Sequence, residues 1–444
     1  MLRTATLVTG LGLIALAGCE EREEILPGER LGVRDVLETR IDPLADTAEN
    51  LARAVSLPAQ QSNADWAQSA VSPFARTDNA AFSGSFQPVW EVNIGAGDSR
   101  RKRLNVDPVV AGGRVFTMDS EFVVRATTTA GAPLWSHDLT PLREKNYQAQ
   151  GGGIAYHDGQ LYVSSGFGTV TAFDPSNGTE IWTQRLGNTA TGAPSVRGGL
   201  VYLVSGDALA WALEADTGRI RWQMDGTGDV GNVAGAPAPA LGAKRVVFAF
   251  GNASVQGAFL QGGLKLWTAE ILGRRNGVAL SSIDDITGDP VIVGDTVYAG
   301  NHSGRFVALS VANGDRLWTA REGALGQAWP LGSDSIAFVS DRNELVRLDA
   351  TTGETIWAVD LPGYVPTRRN PQRRRDAAFA NHGPILAGGR LIVASSDGFI
   401  RSFNPEDGAE LSRVEIKGGA TTRPVVAGGT LYVISGNGTL HAYR

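Results

Sequence analysis

A repeated phrase ending in tryptophan constrains the fold more than any other feature of this 444-residue sequence. The phrase places small residues, a glycine, a charged residue and an apolar residue before the tryptophan, as in "DATTGETIW" at 349–357 and "DPSNGTEIW" at 174–182. Its copies end at eight positions 39 to 54 residues apart: Trp90, Trp135, Trp182, Trp222, Trp267, Trp318, Trp357 and Leu411. Such a period indicates an array of structural repeats, so the phrase describes architecture and not catalysis.

One complete unit, residues 288–318, predicts four short strands joined by tight turns. Its strands are "PVIV", "TVYAG", "RFVALS" and "RLW", and the turns "GD", "HSG" and "ANGD" separate them. Glycine and asparagine supply the backbone conformations that hairpin turns require. Four antiparallel strands in about 45 residues are typical of a propeller blade. The predicted fold class is therefore all-β, an eight-bladed β-propeller of four-stranded antiparallel blades.

The two ends of the repeat region complement each other. Residues 423–444 supply three strands and stop before any tryptophan strand, whereas "QPVWEVNIG" at 87–95 is a tryptophan strand with nothing before it. We expect the N-terminal strand to complete the C-terminal blade and so close the ring. Closure would remove two exposed sheet edges, which are otherwise sites of unwanted pairing.

The first 19 residues have the form of an export signal. Arg3 precedes an apolar run at 7–17, which is shorter than the ~20 residues needed to span a bilayer. The sequence Leu16-Ala17-Gly18-Cys19 follows, and it resembles a bacterial lipobox. The resemblance implies cleavage before Cys19, acylation of that residue, and anchoring by several acyl chains. In bacterial lipoproteins, an aspartate directly after the cysteine typically retains the protein in the inner membrane. Glu20 stands there instead, which favours the periplasmic face of the outer membrane. The alternative interpretation of the segment is an ordinary secretory signal.

These observations divide the chain into three parts. Residues 1–18 are predicted to be a lipoprotein signal peptide, 19–82 a lipidated cysteine with a flexible tether and an irregular plug, and 83–444 the propeller. Residues 20–60 are charged and lack a sustained apolar face, which favours a tether. Trp66 and Phe74 follow in an irregular stretch, and we expect both to pack onto the propeller.

Composition and motifs argue against several classes of function. The net charge of −6 disfavours nucleic-acid binding, which usually needs a basic excess. None of the five histidines stands at metal-ligand spacing from another ligand type. The sequence shows no Ser/His/Asp arrangement, P-loop or dinucleotide fingerprint. We therefore predict no catalytic residues, no metal site and no cofactor.

The tryptophan repeat resembles that of quinoprotein alcohol dehydrogenases, a repeat shared by two families. One comprises dehydrogenases that hold pyrroloquinoline quinone and Ca²⁺ on the propeller axis, usually with adjacent cysteines and large insertions. The other is the BamB family of outer-membrane assembly lipoproteins. Cys19 is the only cysteine here, and the blades are short. The combination of lipobox, tether and eight plain blades is similar to BamB.

The BamB resemblance implies a scaffold in the machinery that folds and inserts outer-membrane β-barrels. It implies contact with the periplasmic POTRA domains of BamA and with other lipoproteins of that complex, and possible contact with unfolded outer-membrane proteins. Two alternatives stay open at this point. One is a membrane-tethered quinone-dependent dehydrogenase, and the other is a propeller that binds cell-wall polysaccharide.

Two connections between blades correspond to partner-binding loops of the family. Aligned on Pro290, Asp285 falls on an acidic contact position, whereas Thr287 replaces a second aspartate. The Gly-rich stretch 225–237 lacks the family's leucine and arginine. The candidate partner-binding residues are Asp284, Asp285, Thr287, Asp229, Val230 and Asn232. Turn capping, an acid pair or a Ca²⁺ site are the other interpretations of the aspartates.

An arginine-rich insertion at 363–384 is a possible secondary contact. It concentrates five arginines in eight residues: Arg368, Arg369, Arg373, Arg374 and Arg375. Guanidinium groups bind carboxylates, phosphates and lipid headgroups. The insertion therefore predicts contact with a protein or with lipid or peptidoglycan, unless it is simply a solvated loop.

Overall fold

The repeats form a ring of eight four-stranded antiparallel sheets, which confirms the predicted eight-bladed β-propeller. The structure is a computed structural model, and it describes residues 50–226, 237–273, 285–365 and 378–444. We number the blades 1 to 8 from the first complete sheet.

Each of blades 1 to 4 is a meander of four consecutive strands. Blade 1 contains β2 Val109–Ala111, β3 Arg114–Met118, β4 Val123–Thr128 and β5 Pro133–Asp138. Blade 2 contains β6 Gly152–His157, β7 Gln160–Ser165, β8 Thr169–Phe173 and β9 Glu180–Arg185. Blade 3 contains β10 Ser195–Arg197, β11 Leu200–Val204, β12 Leu209–Glu214 and β13 Ile220–Asp225. Blade 4 contains β14 Ala240–Leu241, β15 Arg245–Ala249, β16 Ser254–Phe259 and β17 Lys265–Glu270.

Blades 5 to 7 repeat this order, and blade 8 combines both ends of the chain. Blade 5 contains β18 Val291–Val293, β19 Thr296–Gly300, β20 Phe306–Ser310 and β21 Arg316–Ala320. Blade 6 contains β22 Trp329–Leu331, β23 Ser335–Val339, β24 Glu344–Asp349 and β25 Thr355–Asp360. Blade 7 contains β26 Asn381–Ala387, β27 Arg390–Ser395, β28 Phe399–Phe403 and β29 Glu410–Glu415. Blade 8 contains β30 Val425–Ala427, β31 Thr430–Ser435, β32 Thr439–Tyr443 and β1 Pro88–Asn93.

The strand order gives the ring two distinct ends. In an antiparallel meander, the turns after the first and third strands lie at one end of the blade. The turn after the second strand and the connection to the next blade lie at the other. We call these ends the turn face and the loop face. The first strand of each blade is mostly buried and lies nearest the central channel, whereas fourth strands such as β5 alternate exposed and half-buried residues at the rim.

The tryptophan phrase builds the contact between neighbouring blades. Seven indole N–H groups donate to a backbone carbonyl in the next blade at 2.8–3.1 Å: Trp90 to Thr129, Trp135 to Pro175, Trp182 to Ala215, Trp222 to Leu260, Trp267 to Val311, Trp318 to Ala350 and Trp357 to Pro405. The glycine of the next phrase lies against the ring. A Cβ at Gly178, for example, would come within 2.5 Å of Trp135, and its φ of 73° already favours glycine. Each phrase thus supplies a tryptophan that packs on the next blade. It also supplies a glycine, which we call the seat, on which the tryptophan of the previous blade packs.

Leu411 replaces the eighth tryptophan where no such seat exists. It lies on β29, and blade 8 comes next in the ring. The last two strands of blade 8, β32 and β1, come from opposite ends of the chain and have no glycine hairpin between them. Gln87 and Arg444 exchange backbone hydrogen bonds of 2.7 and 2.9 Å there instead. Leu411 therefore stands in the copy whose next blade has no glycine hairpin to receive a tryptophan.

The N-terminal strand lies on the edge of the C-terminal sheet. β1 pairs with β32 in antiparallel register, from Pro88 opposite Tyr443 to Asn93 opposite Thr439. From this position Trp90 reaches the Thr129 carbonyl of blade 1. The pairing gives blade 8 its fourth strand and links it to blade 1.

The apolar core lies mainly between adjacent blades. Blades 5 and 6 share one cluster, in which Phe306 and Phe338 stack with ring centroids 4.3 Å apart. Both rings are almost completely buried. Burying aromatic and branched side chains along each junction removes apolar surface from water and holds the ring together.

Candidate functional site

The segment preceding β1 covers the turn-face end of the channel. We call residues 50–86 the plug. It bonds to the first strand of every blade: Trp66 to Val110, Ala67 to Tyr156, Gln68 to Val196, Ser72 to Leu241, Val71 to Ile292, Asp78 to Trp329, Ala80 to Leu386 and Asn63 to Val426. The turns after the first strands of blades 1 and 8 also donate backbone N–H groups to it, Gly112 to Asp65 and Gly428 to Asn63. Hydrogen bonds from the plug to the blades therefore run around the whole axis.

Trp66 of the plug stacks on Trp329 of β22. The Trp66 and Trp329 rings are nearly parallel, at 21°, with centroids 5.7 Å apart, and both are buried. Trp66 packs onto the propeller as predicted. Phe74 differs, because it is 55% exposed, although the Arg197 guanidinium lies over its ring, 3.1 Å from the ring centroid.

The first described residues lie at the rim between blades 6 and 7. The Leu51 N–H donates to the Ile356 carbonyl at 2.9 Å, and the Arg53 N–H donates to the Glu406 carbonyl at 3.2 Å. Arg347 is fully buried and donates to the Arg53 carbonyl at 2.7 Å. Residues 50–60, which sequence analysis assigned to the tether, therefore lie against the blades. Their backbone groups supplied this contact, and composition does not reveal backbone bonding.

A charged network crosses the channel beyond the plug. The Arg423 Nε donates to Asp107 Oδ2 at 2.5 Å, and its Nη1 donates to Asp289 Oδ2 at 2.9 Å and to Gln327 Oε1 at 2.6 Å. These residues precede the first strands of blades 8, 1, 5 and 6, so the network joins opposite sides of the ring. Ser69 of the plug also donates to Asp289. Burial acts to lower the pKa of Arg423, but Asp107 and Asp289 outweigh it and raise that pKa above its usual value.

The network divides the channel into two spaces. On the plug side, a chamber of about 130 Å³ is lined by Trp66, Gln68 and Trp329. On the other side, a larger cavity of about 570 Å³ is lined by His302, Tyr364, Asn381 and His382, among others. We call this larger cavity the vestibule. Asp107, Asp289, Gln327 and Arg423 border both spaces.

The pKa of His382, which lines the vestibule, is lowered. Burial lowers the pKa of His382 to about 4; the nearby Asp107 carboxylate acts to raise it, and the Arg423 guanidinium acts to lower it. The imidazole is therefore neutral at pH 7.

Sequence analysis missed the network, although one signal was present. Three of its members stand directly before a proline that opens a first strand: Asp107, Asp289 and Arg423. Proline fixes φ and donates no backbone hydrogen bond, which suits the start of a strand. Opposite charges at this one repeat position could have indicated pairs across the axis.

Asp285, one of the candidate partner-binding residues, is buried. Its side chain is only 2% exposed, and its carbonyl accepts the His302 N–H at 2.8 Å. The connection before β18 turns inward at this point, because Ile286 is fully buried beside it. Thr287 is half-buried, borders the vestibule and donates to the Leu325 carbonyl at 3.1 Å. Neither side chain is fully exposed to solvent on the loop face.

The other predicted site residues lie outside the described residues. These are Cys19, Asp229, Val230, Asn232, Asp284, Arg368, Arg369, Arg373, Arg374 and Arg375. The signal peptide also lies outside them. Their roles stay predictions.

The structure places a serine, a histidine and a glutamate together, although the sequence showed no such arrangement. His441 Nε2 is 2.8 Å from Ser435 Oγ, and its Nδ1 is 3.5 Å from Glu91 Oε2. Ser435 is fully buried, so no substrate can reach its hydroxyl. The corresponding position of blade 3 has Trp211 donating to Ser205 Oγ. The group is thus a repeated bond between second and third strands.

In the described ranges, no three His, Cys, Asp or Glu side chains group so that they could hold a metal ion. No helix of the described parts is long and apolar enough to cross a membrane.

Solved structures share this architecture. The crystal structure of BamB from Moraxella catarrhalis is similar at a TM-score of 0.67 and 18% identity, covering 81% of this chain and 99% of that one. Quinohemoprotein alcohol dehydrogenase from Comamonas testosteroni is similar at a TM-score of 0.65 and 15% identity, covering 86% and 80%. At these identities the likeness shows the fold alone.

Fold and channel together define an eight-bladed propeller of the quinoprotein-like repeat class, with a plug across its turn face. Among curated proteins, outer membrane protein assembly factor BamB of Yersinia pestis is 24% identical over 382 residues, covering 84% of this chain and 92% of the relative. The Escherichia coli K12 protein of the same name is 24% identical over 359 residues, covering 80% and 87%. The family model described as outer membrane protein assembly factor BamB matches residues 119–359, 321–404 and 396–444, so the chain belongs to this family. The plug precedes the matched region.

Proposed function

We propose that this protein is a non-catalytic scaffold for the assembly of outer-membrane β-barrels. In this proposal, acylated Cys19 anchors it at the periplasmic face of the outer membrane, and it binds the POTRA domains of BamA and other lipoproteins of that complex. The family match across residues 119–444 is the observation that carries the proposal. Unfolded outer-membrane proteins are further possible partners.

The rigidity of the propeller supports a scaffold role. Every blade is tied to its neighbours, and the plug bonds to all eight first strands. A rigid surface loses little conformational entropy on binding, so more of the contact energy appears as affinity. The loop face is the side on which a partner could contact several blades without displacing the plug.

The buried Asp285 changes which substitutions can test partner binding. Reversing its charge would put an arginine in a buried position and unfold the region, so reduced binding would not identify an interface. We therefore propose Asp229 and Asp284 as the residues to reverse, both in inter-blade connections of the sequence.

Affinity purification from detergent-solubilised membranes, followed by mass spectrometry, tests the scaffold role. We expect BamA to be recovered with the full-length chain. Asp229→Arg combined with Asp284→Arg should reduce BamA recovery, because charges at the edge of an interface steer and hold a partner of opposite charge. Asp216→Arg is the matched control, since Asp216 is exposed in a third-to-fourth-strand turn on the turn face. Absence of BamA from the wild-type sample would refute the proposal, and equal loss with the control would move the interface away from these loops.

The shared fold of the dehydrogenases motivates a second test. The purified chain would be incubated with pyrroloquinoline quinone and Ca²⁺, and dye-linked alcohol oxidation would be measured. We expect no turnover. Quinone-dependent oxidation of any alcohol would favour the dehydrogenase alternative instead.

A further inference from the structure

A group of exposed basic and apolar side chains lies on the loop face beside blade 1. The connection from β1 to β2 carries "DSRRKR" at 98–103, and the connection from β5 to β6 carries "PLREKNY" at 141–147. Six exposed side chains of these connections form what we call the basic patch: Arg100, Arg101, Leu142, Arg143, Lys145 and Tyr147. The whole chain has a net charge of −6, so composition alone does not account for this concentration of positive charge.

Hydrogen bonds and an ion pair join the two connections into one surface. Gln150 Nε2 donates to the Arg101 carbonyl at 3.0 Å. The turn between β3 and β4 contacts both connections, because Glu121 pairs with Lys102 and its carbonyl accepts the Thr140 hydroxyl at 3.5 Å. The patch is therefore a continuous part of the propeller surface.

Most positive charge of the patch is not neutralised by the surrounding residues. Three guanidinium groups form no ion pair or hydrogen bond with any described residue: Arg100, Arg101 and Arg143. The nearby Asp98 and Glu121 carboxylates are already paired, with Arg103 and Lys102 respectively. Glu144 offsets one of the four positive charges of the patch. An anionic partner would therefore gain new contacts without breaking an existing pair.

Apolar side chains project from the same patch. Leu142 is fully exposed, so no described residue covers it. Tyr147 is also exposed, and Lys145 Nζ lies 5.7 Å from its ring centroid. A protein partner covers a projecting leucine only with a matching pocket, whereas the interface of a lipid bilayer accepts an apolar side chain of any shape. Basic residues around projecting apolar side chains are typical of contact with a membrane surface.

The course of the first described residues favours a membrane on this side of the ring. Asn50 bonds to the backbone of Ala358 through both its side-chain oxygen and its side-chain nitrogen, at 2.9 Å each, and the Leu51 N–H donates to Ile356. The segment therefore runs antiparallel to β25, which ends at the loop face. The preceding chain, which carries Cys19, thus joins the described part from the loop-face end of the rim.

We propose that the basic patch docks on an anionic phospholipid surface, with Leu142 and Tyr147 inserted among the headgroups. The choice of a membrane as partner rests on the anchoring at Cys19 proposed above. Each basic residue close to an anionic leaflet strengthens binding about fivefold, so the patch supplies a second attachment besides the acyl chains. The connections that carry Asp229 and Asp284 follow blades 3 and 4, so this contact leaves them to a protein partner.

Co-sedimentation with vesicles tests the patch. The sample is the mature chain from residue 19 with Cys19→Ser, which cannot be acylated and therefore binds only through the protein. One vesicle preparation contains phosphatidylcholine alone, and the other contains phosphatidylcholine mixed with the anionic lipid phosphatidylglycerol. We expect at least tenfold stronger binding to the anionic vesicles, and weaker binding in added salt because salt screens exposed charges. Equal binding to both preparations, or binding to neither, would show that the proposal is wrong.

Charge reversals locate the contact. Arg100→Glu with Arg101→Glu should weaken binding to anionic vesicles at least tenfold, because it replaces two attractions with two repulsions. Arg219→Glu with Lys244→Glu is the matched control, since it makes the same change in net charge at exposed residues of the turn face, and it should change affinity less than about twofold. Leu142→Ser should weaken binding but preserve its salt dependence. Equal weakening by both double variants would mean that only net charge matters, which would overturn the assignment.

The same patch variant distinguishes a lipid partner from a protein partner. We expect Arg100→Glu with Arg101→Glu to lose vesicle binding and to recover BamA in wild-type amounts, with circular dichroism confirming the fold. Loss of BamA recovery by the folded variant, together with no vesicle binding by the parent chain, would assign the patch to a protein interface and refute the proposal. The scaffold role is tested by BamA recovery alone, so the two proposals fail independently.

Discussion

The rim of the propeller is built from one contact used seven times, whereas the channel is built from contacts that occur once. At the rim, an indole N–H reaches the next blade at 2.8–3.1 Å in every copy. In the channel, Arg423 joins blades 8, 1, 5 and 6 through partners that no other blade repeats. A repeated contact fits any neighbour and cannot by itself specify how many blades form. The plug, which bonds to each first strand in a particular order, matches only a ring of eight.

Removing the plug and β1 together should have the largest effect on this comparison. Deleting residues 20–95 takes one strand from blade 8, the Trp90 contact with blade 1 and the cover over Trp329. We expect loss of cooperative folding, since several buried contacts worth ~1–5 kcal/mol each disappear together. Deleting only 20–49 is the control and should preserve the thermal melt measured by circular dichroism. Equal melting temperatures for both deletions would show that neither the plug nor β1 matters for closure.

Breaking the channel network alone should have the next largest effect. Arg423→Met leaves the Asp107 and Asp289 carboxylates in the channel without their cation, which should lower the free energy of unfolding by ~3–5 kcal/mol. Urea titration measures the change. The triple variant Arg423→Met/Asp107→Asn/Asp289→Asn removes the unpaired charges and should recover most of the loss. If the triple variant is no more stable than the single one, unpaired charge is not the cause.

Acidification should weaken the channel before the rim. The folded pKa of His382 is about 4, against an ordinary value of 6.5, so the unfolded chain binds more protons between these values. Stability from this group is present above pH 6.5 and is lost as the pH falls toward 4, by on the order of 2–3 kcal/mol. His382→Gln should flatten the pH dependence of the unfolding midpoint in this window. An unchanged slope in the variant would assign the pH dependence to other groups.

Restoring the missing tryptophan should change almost nothing. Leu411→Trp puts an indole opposite blade 8, which has no glycine seat to receive it, so we expect a change within ~0.5 kcal/mol. Trp182→Leu is the reciprocal variant and should cost more, because it empties the seat at Gly218 and removes the indole hydrogen bond to the Ala215 carbonyl. Urea titrations of both variants measure the difference. A clear stabilisation by Leu411→Trp would mean that the tryptophan does not need the glycine turn.

The sequence predicted the rim better than the channel, and the reason is physical. Rim contacts are local, because glycine and tryptophan lie within one phrase and repeat at a visible period. Channel contacts join residues far apart in sequence, such as Asp107 and Arg423, and only the closed ring brings them together. Asp285 shows the same limit: its turn-like sequence does not reveal that it is buried, because burial depends on where the connection enters the ring.

The pairing of β1 with β32 also sets an order of events during synthesis and export. β1 and the plug leave the ribosome early, but their partners include Val426 and the strand that ends at Tyr443. Contacts between the two ends of a chain form slowly, because a long loop must close before they form. The early segment therefore waits until the last strand arrives. A chain that stops before β32 leaves β1 without its partner strand and blade 8 with open sheet edges, so completion of synthesis removes edges that would otherwise be open to aggregation and proteolysis.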